Sequence, residues 1–405
     1  MKKLFLIFLT FCIFSLPLSV KGYNLTVSEV DNNPDYEENG EYITVDASVP
    51  VDAALMTFAK AVVLMEKSTG KVLYAENEDE KLYPASVTKI MSILLVCEAI
   101  ESGKIKLEDS VSCSENASSK GGSQIWLEPG ETMTVHELLK ATCIYSANDA
   151  CTLLGEYIAG SEQAFNEMMN KRAEELGMKN THFDNCTGLD DTTETHLTTA
   201  YDVALMSKEL LKYEFIKEYT TVWMDSLRNG ETQLVNTNKL LRFYDGITGL
   251  KTGTTDKAGC CVSATAERNG MELIAVVMGS ENSNDRFASA QNLLDWGFAN
   301  YELYKPSLPE NIVESINVDF GVKDSVALIY PEISSVLINK GTENDIVFNV
   351  VTDEKLVAPV VKGQSVGCVQ ILANGKVIAK YDITAESDVE KLTFFSALYK
   401  LFSCF

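Results

Sequence analysis

Two side chains near residue 90 have the types and the spacing that covalent acyl chemistry needs. Ser86 and Lys89 stand three positions apart at the predicted start of a helix, where residues i and i+3 are neighbours on one face. A serine hydroxyl is a weak nucleophile until a base takes its proton. A lysine amine can be that base when burial or a second cation keeps it neutral. One such pair is a weak signal, because many helices contain it by chance.

Two further motifs make the signal much more specific. Ser146-Ala147-Asn148 lies at a predicted turn between helices, and Lys251-Thr252-Gly253-Thr254 opens a predicted strand region. Taken alone, the first could be an ordinary helix N-cap and the second a hairpin loop with a surface lysine. In this order, S-x-x-K, S-x-N and K-T-G form the triplet of penicillin-binding proteins and class A β-lactamases.

An α+β domain at about residues 55–303 is predicted to position these motifs. Alternating segments indicate two β-hairpins, the first at Ala61–Met65 and Lys71–Tyr74 and the second at Cys260–Ala266 and Glu272–Met278. Helical periodicity between and after them predicts helices at about 86–101, 135–143, 148–159, 161–176, 198–212 and 283–301. Strands that flank a helical block are typical of the α+β class.

The sequence pattern changes after Pro306, and a small all-β domain is predicted at about 308–385. Short alternating segments are separated by Gly, Asn or Lys turns, at Ser325–Ile329, Ser335–Ile338, Asp345–Val351, Val357–Val361, Gly367–Leu372 and Lys376–Ile383. Ala373-Asn374-Gly375 is a strong hairpin turn.

The end of the chain, residues 390–405, is predicted to be an amphipathic helix. Its polar residues recur at spacings of three and four and leave an opposite apolar side with four phenylalanines. About 14 residues of helix extend only ~21 Å, short of the ~30 Å hydrocarbon core, so this helix is expected to lie on a membrane surface. The alternative is a terminal helix docked on the β-domain.

The beginning of the chain has the layout of a secretory signal. Lys2 and Lys3 precede the apolar run Leu4–Phe14, and Pro17 ends it. Residues 1–22 are therefore predicted to be a signal peptide and residues 23–54 an acidic linker. We expect export to the extracytoplasmic face of the cytoplasmic membrane, within the cell envelope, or secretion if the C-terminal helix does not anchor the protein. A retained N-terminal anchor is the alternative interpretation.

Composition excludes several classes of protein. The chain has 405 residues, enough for two domains, with 46% hydrophobic and 23% charged residues, which are ordinary values for globular proteins. Disordered, collagenous and polytopic membrane proteins are thereby excluded. Its 34 Lys+Arg against 58 Asp+Glu give a net charge of −24, which argues against nucleic acid as a partner.

The cysteines and histidines point to no metal site and no disulfide framework. Nine of the ten cysteines follow the signal segment, an odd number without regular spacing. The three histidines, His136, His182 and His196, have no ligand-like spacing, so no metal and no cofactor are predicted. His196 is interpreted as structural.

The motifs resemble those of low-molecular-mass penicillin-binding proteins, the serine-type D-alanyl-D-alanine carboxypeptidases of peptidase family S11. The resemblance runs from about Ala61 to the end and is carried by Pro84–Met91, Ser146–Ala150, Thr187-Gly188-Leu189, Gly249–Thr255 and Asp295–Phe298. It implies a transpeptidase-like catalytic domain, a β-sandwich and a C-terminal helix on the membrane surface.

The resemblance also implies the roles of individual residues. Ser86 is the acylated nucleophile, Lys89 its base, and Ser146 a proton relay toward the leaving group. The expected substrate-binding residues are Asn148, Lys251, Thr252, Gly253, Thr254 and Arg286. The backbone N–H groups of Ser86 and Thr254 are expected to form the oxyanion hole.

The implied reaction removes the terminal D-alanine from peptidoglycan stem pentapeptides. The implied partners are stem peptides ending in D-Ala-D-Ala, β-lactam antibiotics and the outer leaflet of the cytoplasmic membrane. A D,D-endopeptidase uses the same residues and stays open. A β-lactamase needs a deacylating glutamate, and Glu162 with Asn166 has that spacing, but we interpret the match as chance. A catalytically silent wall-binding module would lack a motif member, and none is missing.

Overall fold

The computed structural model describes residue 55, residues 57–309 and residues 312–402. The predicted signal peptide and acidic linker lie outside the described residues. The described part forms two compact units. The larger unit contains the described residues up to Tyr304 together with Ser335–Glu343, and the smaller contains Lys305–Ser334 and the described residues from Asn344 onward.

The strands and helices of both units are numbered in chain order. The strands are β1 (Ala61–Glu66), β2 (Val72–Glu76), β3 (Ser110–Ser112), β4 (Thr132–Thr134), β5 (Met224–Leu227), β6 (Thr232–Val235), β7 (Ile247–Thr255), β8 (Gly259–Arg268), β9 (Met271–Ser280), β10 (Tyr301–Tyr304), β11 (Ser315–Asp319), β12 (Ser325–Ile329), β13 (Val336–Asn339), β14 (Ile346–Thr352), β15 (Lys355–Val357), β16 (Ser365–Ala373) and β17 (Lys376–Ala385). The α-helices are α1 (Lys89–Glu101), α2 (Glu115–Ser118), α3 (Val135–Lys140), α4 (Asn148–Ala159), α5 (Glu162–Glu175), α6 (Ala200–Leu210), α7 (Lys217–Thr220), α8 (Ser283–Asn300) and α9 (Phe394–Phe402).

The larger unit is built on an antiparallel sheet with the strand order β2-β1-β9-β8-β7. Successive side chains of a strand point to opposite faces, and β1 is apolar at every position but its last. Val63 and Met65 enter a core shared with the helical block, whereas Val62 and Leu64 enter a second core shared with α8. The sheet is therefore covered on both faces, which explains the long apolar runs in β1 and β9.

The helical block follows from local sequence signals. α1 is buried along almost its whole length, as expected for a helix that is apolar on all sides. α3 begins with a capping box, in which the Thr134 side chain and Glu137 satisfy each other's backbone N–H groups. Three further helices begin with N-cap side chains of the preferred types, which are Ser161 for α5, Thr199 for α6 and Asn282 for α8.

The α+β prediction for the catalytic region is confirmed, but one predicted strand belongs elsewhere. The sequence pattern places Ser335–Ile338 in the all-β domain. In the structure it forms β13 and pairs with β10 in the larger unit. The helix predicted at 283–301 ends at Asn300, since Tyr301 already begins β10.

The described residues of the smaller unit form β-strands and the terminal helix α9, with a 3-10 turn, Glu343–Asp345, at the boundary. Its strands are connected in the order β14-β16-β17-β12-β11-β15. The predicted hairpin turn joins β16 to β17, with Asn374 and Gly375 at φ of 52° and 77°, as a type I′ turn requires. Among the described residues, no helix combines the length and the apolar character needed to cross a membrane.

Candidate active site

The predicted nucleophile and base are in direct contact. Ser86 lies in a 3-10 turn, Ala85–Thr88, that leads into α1, and Lys89 is the first residue of that helix. Lys89 Nζ donates a hydrogen bond to Ser86 Oγ at 2.9 Å. Ser86 is partly exposed whereas Lys89 is fully buried, so the hydroxyl faces the solvent side and the amine lies behind it.

Burial prepares the Lys89 amine to act as a base. Desolvation lowers the pKa of Lys89 to about 8. The amine also donates to the carbonyl oxygen of Thr187 at 2.8 Å, which is a neutral acceptor. With a pKa near 8, about one amine in ten is already neutral at pH 7. The lysine can therefore accept a proton from the serine under ordinary conditions.

The second motif supplies two polar atoms that have no partner. A π-helical turn, Ala141–Tyr145, ends at Ser146, whose φ is 66°, and α4 begins at Asn148. Ser146 Oγ and Asn148 Oδ1 are buried and make no hydrogen bond within the described part of the chain. The other end of the Asn148 amide is occupied, because Nδ2 donates to Gly121 O at 2.7 Å. A free hydroxyl and a free amide oxygen are thus available to a substrate.

The third motif lies on β7, at the edge of the sheet. Lys251 is 2% exposed, and burial, followed by the positive charge of Lys89, holds its pKa well below the usual range. Its Nζ donates to Thr252 O at 3.1 Å. The Thr252 hydroxyl donates to Thr237 Oγ1 at 2.6 Å. Two buried amines near each other make it costly for both to be charged at once.

Gly253 brings β7 against the nucleophile. A Cβ atom at this position would lie 2.8 Å from the backbone nitrogen of Ser86 and 2.8 Å from Pro84 O. Only glycine permits such a close approach of the two backbones. The third motif therefore borders the same space as the Ser86 hydroxyl.

Arg286 lies behind Thr254 and is almost fully buried. Its Nη1 atom donates to Thr254 Oγ1 and to Gly253 O, each at 2.9 Å. The Thr254 hydroxyl in turn donates to Gly253 O at 2.8 Å. In this arrangement the guanidinium orients the threonine hydroxyl and adds positive charge beneath it.

A loop before α6 completes the site, and sequence reasoning gave it no role. Asn185 Oδ1 accepts hydrogen bonds from the backbone N–H groups of Thr187 and Gly188, at 3.1 and 2.7 Å. Gly188 has a φ of 87°, and a Cβ there would lie 1.8 Å from Ala85 O. The loop is therefore pressed against the Ser86 turn and presents the Thr187 carbonyl to Lys89. The Thr187-Gly188-Leu189 motif was the available signal.

Asp149 is a second residue that sequence reasoning missed. Its buried carboxylate accepts from the backbone N–H groups of Ile125 and Leu127, with the shortest distance 3.1 Å to each. The adjacent Asn148 N–H donates to Ser123 O at 2.7 Å. These bonds fix the segment around residues 121–127 beside the Ser146–Asn148 motif.

Glu162 has the spacing of a deacylating glutamate but is engaged elsewhere. Its carboxylate forms an ion pair with Lys120 at 2.6 Å and accepts from Asn116 Nδ2 at 3.0 Å. Asn166, the other half of that spacing, donates to Asp184 O. These contacts favour the interpretation of the match as chance.

Metal-ligating side chains do not cluster within the described residues. Within them, no group of three or more His, Cys, Asp or Glu side chains could hold a metal ion. The eight cysteines of the described part are free thiols.

The fold and the site together indicate a serine acyl-transfer enzyme, with a buried lysine in contact with the serine. Comparison with protein families gives the same class. Residues 47–282 match the family described as D-alanyl-D-alanine carboxypeptidase (peptidase S11), and residues 301–391 match the C-terminal domain of penicillin-binding protein 5.

Individual proteins that are similar to this chain carry the same family description. The chain is 44% identical over 344 residues to the D-alanyl-D-alanine carboxypeptidase DacF of Bacillus subtilis, covering 84% of this chain and 88% of that protein. It is 36% identical to DacC of Escherichia coli, covering 84% of this chain and 86% of that protein. Penicillin-binding protein 5 from Haemophilus influenzae is similar in structure, with a TM-score of 0.73, 32% identity and coverage of 83% of this chain and 98% of that one.

The chain belongs to the D-alanyl-D-alanine carboxypeptidase family, peptidase family S11. It is a serine-type enzyme of the low-molecular-mass penicillin-binding class.

Proposed function

We propose that this enzyme removes the terminal D-alanine from peptidoglycan stem pentapeptides through an acyl-enzyme on Ser86. The observation that carries the proposal is the 2.9 Å hydrogen bond between Ser86 Oγ and the buried Lys89 amine. A serine beside a base of lowered pKa is the arrangement that nucleophilic catalysis requires.

In the acylation step, neutral Lys89 takes the proton of Ser86 while Oγ attacks the carbonyl carbon between the two D-alanines. The negative charge that develops on the carbonyl oxygen is stabilised by the backbone N–H groups of Ser86 and Thr254. The C–N bond then breaks. The leaving amine receives the proton from the Lys89 ammonium through the hydroxyl of Ser146, and D-alanine departs.

In the deacylation step, water attacks the ester carbonyl on Ser86. Lys89, neutral again, takes a proton from the water as the new C–O bond forms. The bond to Oγ then breaks, Ser86 recovers a proton, and the shortened peptide leaves as a carboxylic acid. One base thereby serves both halves of the reaction.

Substrate binding uses the polar atoms that the site leaves open. The unpartnered Asn148 Oδ1 can accept the N–H of the substrate amide. Thr252 and Thr254, on the strand that Gly253 brings against Ser86, bind the terminal carboxylate. The positive charge of Arg286, whose Nη1 donates to Thr254 Oγ1, favours an anion there.

β-Lactams are expected to acylate the same serine. Their strained amide and carboxylate resemble the D-Ala-D-Ala terminus, but the leaving group stays tethered in the opened ring. The deacylating water is then obstructed, so the adduct should be long-lived.

Two rival activities use the same residues. A D,D-endopeptidase would cut cross-linked dimers, and a β-lactamase would turn over the antibiotic quickly. The engagement of Glu162 by Lys120 disfavours the second, because an ion pair at 2.6 Å already holds the carboxylate that would activate the deacylating water. Incubation with a stem pentapeptide and with a cross-linked dimer distinguishes the carboxypeptidase from the D,D-endopeptidase. Ser86→Ala is the control. Release of D-alanine from the pentapeptide alone supports the carboxypeptidase, while cleavage of the dimer alone would overturn it.

The family acts on the bacterial cell wall, so the enzyme works in the envelope. We further propose that it is exported by residues 1–22 and held at the outer face of the cytoplasmic membrane by α9. The support is the exposure of this helix's aromatic side chains, 76% for Phe394, 80% for Phe395 and 70% for Phe402. Exposed aromatic residues on a short amphipathic helix favour an interfacial position over solvent.

A further inference from the structure

A buried histidine joins the two segments that hold the Lys89 amine. His196 is fully buried, and its Nε2 atom lies 2.8 Å from Thr88 Oγ1, next to Lys89 in the nucleophile turn. Its Nδ1 atom accepts a hydrogen bond from the backbone N–H of Asp184 at 3.0 Å. Asp184 begins the loop whose Thr187 carbonyl accepts from Lys89. The imidazole is therefore hydrogen-bonded both to the turn that contains Ser86 and to the loop that contains Thr187.

The partners of His196 determine which form of the ring is present. A backbone N–H can only donate, so Nδ1 must be unprotonated. In the neutral ring the proton is then on Nε2, which donates to the Thr88 hydroxyl. A protonated ring would carry hydrogen on both nitrogens and would lose the bond to Asp184.

We infer that His196 is a positioning residue for the Lys89 base. Acting through Thr88, the neutral imidazole forms a fixed bridge between the Ala85–Thr88 turn and the loop at residues 184–188. The inference rests on the proposed roles of Ser86 and Lys89. Without the bridge, the Thr187 carbonyl and the turn can separate, and water can reach the amine. The amine would then be less well aimed at Ser86 and would titrate closer to a solvated lysine.

The surroundings of His196 keep the ring neutral over the working range. Burial is the largest influence and lowers its pKa to about 4. The charged groups that act on it are Asp184, whose carboxylate opposes the shift, and His182 and Lys89, which add to it. Phe183 packs against the ring with a centroid distance of 5.7 Å and keeps that side apolar. The ring therefore stays neutral at neutral pH, and both hydrogen bonds of the bridge persist there.

The test compares four variants of the full-length enzyme by the second-order rate of acylation with a chromogenic cephalosporin across pH 5–10. His196→Ala removes both bonds, and Thr88→Val removes the acceptor in a side chain of the same shape. His196→Gln can keep an acceptor for Asp184 and a donor for Thr88. The fourth is the double variant, His196→Ala with Thr88→Val.

We expect His196→Ala and Thr88→Val each to lower the acylation rate by roughly tenfold to a hundredfold, the range for a lost buried hydrogen bond. The acid limb of the pH profile should move to higher pH in both. The double variant should be within about threefold of the worse single variant, because residues that act through one another are not additive. His196→Gln should recover most of the rate.

A matched control separates positioning from simple stability. Ser207→Ala removes a buried serine hydroxyl that bonds to Val203 O and to Ser263, away from the loop. It should lower the thermal midpoint without moving the acid limb. Multiplicative losses in the double variant, or an unmoved acid limb in a folded Thr88→Val protein, would overturn the inference. If His196→Ala does not fold, Thr88→Val and His196→Gln still decide it. Loss of all activity in Ser86→Ala tests the proposed function separately.

Discussion

The ε-amine of Lys89 donates to the carbonyl oxygen of Thr187 at 2.8 Å, although one residue starts α1 and the other lies in a loop beyond α5. This bond gives the amine a neutral acceptor instead of a carboxylate, and the influence of burial exceeds that of Asp149, which raises the pKa. Burial can then lower the pKa of Lys89 to about 8. The loop conformation and the pKa of the Lys89 amine are consequently linked.

Replacement of the base tests its role directly. Lys89→Met and Lys89→Arg should each lower the acylation rate by about 10²–10⁴, because neither side chain can take a proton near neutral pH. Stopped-flow measurement with a fluorescent penicillin gives the rate. Retention of more than a tenth of the rate by Lys89→Arg would mean that positive charge, and not basicity, is what the site requires.

The pH dependence follows from the same lowered pKa. The base is active only when neutral, so the acylation rate should fall about tenfold for each pH unit below 8 and level off above it. Acylation rates measured between pH 5.5 and 9.5 at constant ionic strength give the profile. A profile that is flat between pH 6 and 9 would exclude Lys89 as the group that limits the rate.

Gly188 should be irreplaceable because its loop is pressed against the nucleophile turn. Gly188→Ala has to place a Cβ 1.8 Å from Ala85 O, in addition to adopting a φ of 87°. We expect a loss of about 3 kcal/mol or more in the free energy of unfolding, together with slow acylation. Urea denaturation measures the first quantity.

Gly177→Ala is the matched control for Gly188→Ala. Gly177 has a similar φ of 75°, but nothing lies within 4 Å of the position that its Cβ would take. The loss there should be about 1–2 kcal/mol, from backbone strain alone, and acylation should be unchanged. Equal losses for the two variants would contradict the close packing of the loop against Ala85.

Membrane attachment by α9 can be tested by fractionation. Deleting 392–405, or changing Phe394 and Phe395 together to serine, should move the enzyme from the membrane to the soluble fraction without altering turnover. Phe243→Ser is the control, since Phe243 is 64% exposed in the larger unit. It should leave the distribution unchanged. A deleted enzyme that still sediments with membranes would rule out α9 as the anchor.

Much of the catalytic domain could be predicted from sequence because its signals are local. α4 and α5 lie close to their predicted ranges because each has a clear apolar periodicity, and Gly160 and Ser161 separate them with a stop and a cap. The three motifs were recognisable because reacting side chains must be of particular types.

The rest depends on contacts between distant segments. The acceptor for Lys89 is a backbone carbonyl, which any residue at position 187 would provide, so no residue type marks it. The bonds of Asp149 to Ile125 and Leu127 join segments that are brought together only by the fold. β13 has the same short apolar pattern whichever sheet it joins, so its pairing with β10 was not predictable.

The proposed activity depends on acylation of Ser86 with the help of Lys89. The most direct measurement is intact-mass spectrometry of the enzyme with excess benzylpenicillin, followed over hours, with peptide mapping of the modified residue and a parallel assay of D-alanine release from diacetyl-Lys-D-Ala-D-Ala. We predict a long-lived single adduct on Ser86, its absence in Ser86→Ala, and release of D-alanine by the untreated enzyme. An adduct on another serine would rule out Ser86 as the nucleophile. A short-lived adduct with rapid drug hydrolysis and no D-alanine released would mean that the enzyme is a β-lactamase.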